Sequence, residues 1–305
     1  MLKTKHKIAL AKMARSAVSA MRAIQGAGMT GNFRRGGVKW HLDLNEGIDF
    51  SIFLLGAFEP STIRFYRKVL RPGDIVLDIG ANIGAHTLPF AQCVGPDGRV
   101  YAFEPTEFAY NKLIENLTLN PELSRVVTPN HMLLKPPGDW PAPSEIYSSW
   151  PLNPVGEVHE KHLGQLRPLG AVAMDTLDSY CAARGITRVD WIKIDVDGNE
   201  TTVLQGSTGT LRDMRPKMII ELSPYVCREA GHRFDELVDL LRGAGYDFYD
   251  LESGRELPSR ADELDAIIPD GGALNAFLQP TAPHRPQTAR PCRARVAPER
   301  LHTSG

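Results

Sequence analysis

Cysteine is scarce in this sequence. Cys93, Cys181, Cys227 and Cys292 are scattered along 305 residues, and no two form a CxxC pair. Such spacing supplies neither a zinc framework nor a disulfide scaffold, and it fits a reducing, cytoplasmic setting. An excess of one charge is also lacking. Lys and Arg number 35 against 36 Asp and Glu, a net charge of -1, so no bulk attraction to nucleic acid is expected. No apolar run approaches the roughly 20 residues of a membrane span. The basic start lacks the unbroken apolar core and small-residue cleavage site of a signal peptide. What remains is a chain long enough for one large α/β domain with additions, or for two small domains.

Patterning divides the chain. Residues 1–30 carry Lys3, Lys5, Lys7, Lys12, Arg15 and Arg22, with Leu10, Met13, Ala17, Met21 and Ile24 at helical spacing. This predicts a basic amphipathic helix packed on its own domain or on a second subunit, with a weak peripheral membrane contact as the alternative. Residues 31–72 form a lead-in. Trp40, Leu42 and Leu44 alternate with polar neighbours, and Asn45-Glu46-Gly47 reads as the turn of a hairpin. Ser61 is expected to cap a short helix carrying Ile63, Tyr66, Val69 and Leu70. From 73 to 280 strands and helices alternate, which predicts a mostly parallel sheet with helices on both faces. The stretch 134–173, with Trp140 and Trp150, is longer than an ordinary connection and reads as a lid over the site or as a structural excursion. Residues 281–305 are rich in proline and arginine and read as a disordered tail.

"VLDIGANIGAHT" (Val76 to Thr87) is an apolar strand running into an acid and a glycine-rich turn. A dinucleotide fingerprint G-x-G-x-x-G needs its second glycine so that the backbone can touch a pyrophosphate. Here Asn82 stands in that place and Ala85 in the third. A nucleoside ligand without a pyrophosphate suits the turn better, and S-adenosylmethionine is one. Gly80 and Gly84 let the chain turn sharply. Asp78 is placed near the donor's ammonium, and the following helix N-terminus near its carboxylate. Glu104 ends the next strand, where a carboxylate can accept both ribose hydroxyls. The alternative for Asp78 is a turn-forming residue. His86 is expected to pack on the cofactor and His131 to be a plain strand residue.

"PGDIVLDIGANIGAHTLPFA", "GRVYAFEP", "WIKIDVDGNETTVLQG" and "RPKMIIELSP", in that order, resemble the FkbM family of S-adenosylmethionine-dependent methyltransferases. The likeness covers roughly residues 40 to 225. It implies a class I methyltransferase (Rossmann-like) fold with a seven-stranded sheet. It also implies methyl transfer to a hydroxyl oxygen of a sugar, glycan or natural product. Asp197 stands where the family usually has glutamate, and 134–173 matches little, so the acceptor is not carried over.

An alcohol is a poor nucleophile at neutral pH, so a base should assist. "DVDGNE" puts Asp195 at a strand end, as base or acceptor-orienting group, with Glu221 on the next strand near the substrate. Asp197-Gly198 can be a plain turn and Glu200 a helix cap. Asp195, Asn199 and Glu221 are oxygen ligands that magnesium could use, but they lie on two loops, and no metal is expected. No Asn/Asp-Pro-Pro-aromatic run of a nucleic-acid or amine methyltransferase follows the fourth strand. A degenerate binding module and a nicotinamide-dependent oxidoreductase are the rival readings.

Overall fold

The computed structural model describes residues 4–281 except 153, 155, 156 and 160–163, with side chains from residue 13 onward. The chain opens with helix α1 (Thr4–Ile24), then the antiparallel pair β1 (Thr30–Arg35) and β2 (Val38–Asp43), then α2 (Gly47–Leu55) and α3 (Pro60–Val69). The hairpin thus turns at Gly36-Gly37, not at Asn45-Glu46-Gly47. Both of those glycines have positive φ, which a tight turn needs and most side chains resist. Gly47 instead starts a helix whose Ile48, Phe50 and Ile52 enter the core. Ser61 is not a cap either. Pro60 occupies the first helical turn, where its fixed φ suits the helix, and Glu59 stands at the boundary.

The alternating α/β body follows: β3 (Ile75–Ile79), α4 (Thr87–Val94), β4 (Arg99–Glu104), α5 (Glu107–Thr118), α6 (Pro121–Ser124) and β5 (Val127–Leu134). The long connection holds its own hairpin, β6 (Glu145–Ser149) with β7 (Gln165–Pro168), then β8 (Ala173–Asp175) and α7 (Leu177–Ala183). The second half runs β9 (Trp191–Ile194), α8 (Glu200–Gln205), α9 (Thr208–Asp213), β10 (Lys217–Leu222), α10 (Pro224–Glu229) and α11 (Phe234–Gly243). It ends with β11 (Tyr246–Asp250), α12 (Ala261–Ile267) and β12 (Leu274–Pro280). The proline- and arginine-rich tail expected after 280 lies outside the described residues, apart from Thr281.

The main sheet has the order β11-β12-β10-β9-β3-β4-β5-β8. Every neighbouring pair is parallel except the two involving β12, which runs opposite to the rest. The sheet is eight-stranded where seven strands were expected. The extra strand is β8, three residues at the end of the insertion that extend β5 at the sheet edge. Its three residues, Ala173, Met174 and Asp175, are mostly exposed and too few to carry a strand periodicity. The order reverses between β3 and β9, and open α/β sheets bind ligands at such a switch point, beyond the strand C-termini.

Two asparagines, Asn116 in the last turn of α5 and Asn120 at the start of α6, join the lead-in to this body. Asn116 Oδ1 accepts from the His41 N–H at 2.7 Å, and its Nδ2 donates to the Ile83 carbonyl at 3.0 Å. Asn120 Oδ1 accepts from Lys39 N–H at 3.0 Å, and Nδ2 donates to the Lys39 carbonyl at 2.6 Å. The free edge of β2 is thereby satisfied by side chains in place of a neighbouring strand. Both asparagines are fully enclosed. Asn116→Ala leaves a buried donor and a buried acceptor without partners, and should cost about 2–4 kcal/mol in urea unfolding. A loss below about 0.5 kcal/mol would show the clasp to be dispensable.

Candidate active site

A cavity of about 1270 Å³ opens at the switch point. One half is built from the ends of β3, β4 and β5. The main chain folds back at Gly80, whose N–H and that of Ala81 both donate to the Phe103 carbonyl, at 3.0 and 2.9 Å. A methyl group on Gly80 would lie 1.8 Å from the Asp195 carbonyl oxygen, so only glycine lets the β3 turn meet the end of β9. Asn82 has φ 47°, the left-handed conformation that asparagine accepts more readily than most residues. It thereby supplies what a glycine would, with a side chain added: Nδ2 donates to the Ser148 carbonyl at 3.3 Å. Gly84 also has positive φ and packs against Leu113.

Glu104 is buried at the tip of β4. Its Oε1 accepts from Thr106 N–H at 3.0 Å and from Thr106 Oγ1 at 2.5 Å; Oε2 accepts from Asn82 N–H at 3.0 Å. Burial pushes this carboxyl above its ordinary range, against the bonds from Thr106, Asn82 and Ser148. Oε2 keeps a lone pair for another donor, the capacity a ribose hydroxyl requires. Asp78 is fully enclosed. Thr87 Oγ1 donates to its Oδ2 at 2.5 Å, while Oδ1 has no hydrogen-bond partner. It lies one residue behind the cavity wall, which is made by Ile79, Gly80, Ala81 and Asn82.

The other half comes from β9, β10, β12 and the α2–α3 link. Lys193 sits inside β9, directly beside Asp78 in the parallel register, and its Nζ donates to Asp195 Oδ2 at 2.9 Å. Burial opposes its charge, but Asp195, Asp78 and Glu59 prevail and hold its pKa above the ordinary lysine value. Glu59 carries φ 47° at the start of α3. Its Oε1 accepts from Asn275 Nδ2 at 2.9 Å, and its Oε2 lies 3.4 Å from His86 Nε2. Burial alone would raise this carboxyl; the His86 imidazole, Lys193 and Asn275 override it and push it down to about 2. Glu221 faces Asn275 across the antiparallel β10–β12 pair. Burial first, then the charges of Asp195, Asp197 and Glu59, push Glu221 well above the usual carboxylate range.

His86 packs against Phe58, Tyr66 and Phe90 on the cavity wall. His131 Nε2 donates to the Pro105 carbonyl at 3.0 Å and stacks on Tyr110, while its neighbours Met132 and Leu133 line the cavity. Asp197 and Gly198 form a turn of successive positive φ values. Glu200 Oε1 accepts from Val196 and Gly198 N–H at 3.1 and 3.4 Å, bracing that turn. Among the described residues no His, Cys, Asp and Glu group is arranged to hold a metal.

The insertion roofs the cavity. Ser148 Oγ is 2.7 Å from Thr106 Oγ1, Trp150 N–H donates to Glu46 Oε2 at 3.1 Å, and Gly47 N–H donates to the Trp150 carbonyl at 2.8 Å. Glu59, Lys193, Asn275 and Ser148 were absent from the sequence expectations. Of these only Lys193 left a signal, as a lone charge in the apolar run "WIKI".

Residues 78–248 match the family described as the methyltransferase FkbM domain. The chain belongs to that family. It is an enzyme, a methyltransferase. The 31-O-demethyl-FK506 methyltransferase FkbM of Streptomyces tacrolimicus is 29% identical over 198 residues, 58% of this chain and 74% of that one. The 2-O-methyltransferase NoeI of Sinorhizobium fredii (strain NBRC 101917 / NGR234) is 26% identical over 192 residues, 56% of this chain and 77% of that one. The crystal structure of methyltransferase FkbM from Methylobacillus flagellatus KT aligns over 77% of this chain and 56% of that one, at 16% identity and a TM-score of 0.39.

Two measurements test the electrostatics. Lys193→Met strands Asp78 and Asp195 without their buried cation and should destabilise the fold by about 3–5 kcal/mol in urea unfolding; near-wild-type stability would refute the pairing. Glu200 has an ordinary value of 4.5 and is pushed up to about 7, mainly by burial; backbone N–H groups oppose the shift and Asp195 adds to it. The folded state therefore keeps a proton that the unfolded chain releases above that ordinary value. Stability from this group is present at low pH, declines as pH rises past 4.5 and is gone above about 7. Glu104, Asp197 and Glu221 shift in the same direction. Differential scanning fluorimetry of the ligand-free protein should show Tm falling from about pH 5 to pH 8, with a shallower slope in Glu200→Gln. An identical slope in the variant would remove Glu200 from the account.

Proposed function

We propose that this methyltransferase modifies a hydroxyl on an uncharged sugar, glycan or natural product, with Asp195 receiving the hydroxyl proton. The observation that carries the reading is the cavity's charge. Glu59, Glu104, Asp195, Asp197 and Glu221 line it, and Lys193 is the only lysine or arginine among the described lining residues. That surplus suits a cationic donor and disfavours a carboxylate or phosphate acceptor. The names of the two relatives, both O-methyltransferases, support oxygen as the methylated atom.

Bound S-adenosylmethionine supplies a methyl group on a positively charged sulfur. In our reading Glu104 accepts the ribose hydroxyls, and Gly80, Asn82 and Gly84 shape the floor beneath the donor. Asp78 acts through its charge from behind that floor. The remaining Glu104 lone pair fits such a ligand. Lys193 fixes the Asp195 carboxylate by one oxygen and leaves the other for the acceptor. Glu221, whose carboxyl burial and the neighbouring acids push upward, faces the acceptor from the next strand. Positioning of the hydroxyl then accounts for much of the rate. The three described free thiols, Cys93, Cys181 and Cys227, support a reducing, cytoplasmic setting. No described helix is long and apolar enough to cross a membrane. The weak membrane contact of α1 stays a proposal of the same kind.

Calorimetry with S-adenosylmethionine and turnover with labelled donor on a panel of glycans and extracts test these roles. Glu104→Gln should weaken donor binding by about tenfold or more, and Asp78→Asn by less. Asp195→Asn should bind donor normally but lose about 10²–10⁴ in kcat. Full turnover by Asp195→Asn would assign the base elsewhere, and unchanged donor affinity in Glu104→Gln would reject the ribose contact.

A further inference from the structure

The cavity extends well past the acids. Next to Glu59 an apolar arm of it is lined by Phe58, Ile48, Leu54 and Leu55, from α2 and the link that follows. Leu54 and Leu55, at the rim, are 51% and 60% exposed. Eight large apolar side chains are exposed in this way among the described residues, and the three that line the cavity are these two and Leu166 of the insertion. Helix α2 explains why. It reads GIDFSIFLL, apolar on nearly every side, with Ile48, Phe50 and Ile52 directed into the core. A helix of that composition is normally enclosed all round. Here its C-terminal leucines face the cavity mouth. Nothing polar in the arm calls for a partner: Ser51 Oγ already donates to the Ala57 carbonyl at 3.2 Å. The total volume, about 1270 Å³, exceeds the about 300–1,000 Å³ usual for a small-molecule pocket.

We infer that the acceptor is amphipathic: its hydroxylated head reaches Asp195 while a hydrocarbon chain lies along α2 and leaves past Leu54 and Leu55. Resting on the methyltransferase reading above, the inference adds a chemical class to it. The arm is continuous with the reacting end, because Phe58 precedes Glu59 in the chain and both line the same space. One molecule can therefore place a chain in the arm and a hydroxyl at the acids. Hydrocarbon is the occupant that matches, since the arm's wall offers apolar surface and no cation.

The test holds the head constant and varies the chain. Protein saturated with S-adenosylhomocysteine is titrated calorimetrically with hexyl, octyl and decyl β-D-glucopyranoside, each below its micelle concentration. Affinity should rise by about threefold per added methylene. In the double variant Leu54→Ser/Leu55→Ser the rise should shrink to about 1.5-fold or less per methylene. Ile267→Ser, an equally exposed site away from the cavity, should keep the wild-type rise. Chain-length-independent affinity in the wild type, or an undiminished rise in the double variant, overturns the inference. So does a flat alkyl series in a protein that sediments with phosphatidylcholine–phosphatidylglycerol vesicles and loses that property in the double variant, because the rim would then serve a bilayer surface. S-adenosylhomocysteine binding is measured first and separately. Its absence in the wild type would overturn the underlying reading, whereas its presence with a flat series removes only the amphipathic acceptor.

Discussion

One buried cation holds the site together. Lys193 stands inside a parallel sheet where almost every neighbour is apolar, and it is surrounded by Asp78, Asp195 and Glu59. Taking any of these charges out of water alone would cost several kcal/mol. Together they offset one another, and each carboxylate reaches the site from a different part of the chain. Asp78 comes from β3, Asp195 from the tip of β9, and Glu59 from the lead-in before the sheet begins. The lysine therefore acts as a registration point. It ties the donor-side turn, the acceptor-side carboxylate and the N-terminal extension to one position in the sheet.

Around that point the fold uses close backbone contact where side chains would be too long. Gly80 lets the β3 turn touch the Asp195 carbonyl, so the donor floor and the acceptor acid share a wall. The asparagine clasp from the α5–α6 junction does the same work at longer range, holding β2 against a body to which it contributes no sheet strand. The insertion closes the arrangement from above. Ser148 meets Thr106 next to Glu104, and Trp150 meets Glu46 at the start of α2. Donor loop, lead-in and roof are thus one connected surface, and a displacement of the roof reaches both ends of the cavity.

The alternating body was legible because strand periodicity and glycine-rich turns are local signals. β3, β4, β9 and β10 fall on the runs "IVLDI", "RVYAFE", "WIKI" and "KMIIEL". The lead-in was harder. Alternation in Trp40, Leu42 and Leu44 marked a strand, but the true turn, Gly36-Gly37, precedes it, and the tempting Asn45-Glu46-Gly47 only starts a helix. β8 had no periodicity to read, since three residues at a sheet edge need only backbone pairing. Within the site, Asp78, Gly80, Asn82, Gly84, Glu104, Asp195 and Glu221 were named from strand ends, and all but Asp78 and Gly84 stand on the cavity wall. Glu59 and Asn275 could not be foreseen. They are 216 residues apart, and nothing local records that they will share a hydrogen bond.

The sheet order has a consequence for how the chain comes together. β12 lies between β10 and β11, although it follows both in the chain. As the polypeptide leaves the ribosome, β11 therefore emerges with no strand to pair with, and must wait for the segment that separates it from its predecessor. Asn275 belongs to that late segment, so Glu59, one of the first acids to appear, gains its partner among the last. Until then an unpaired edge on β10 stands open to solvent and to other nascent chains.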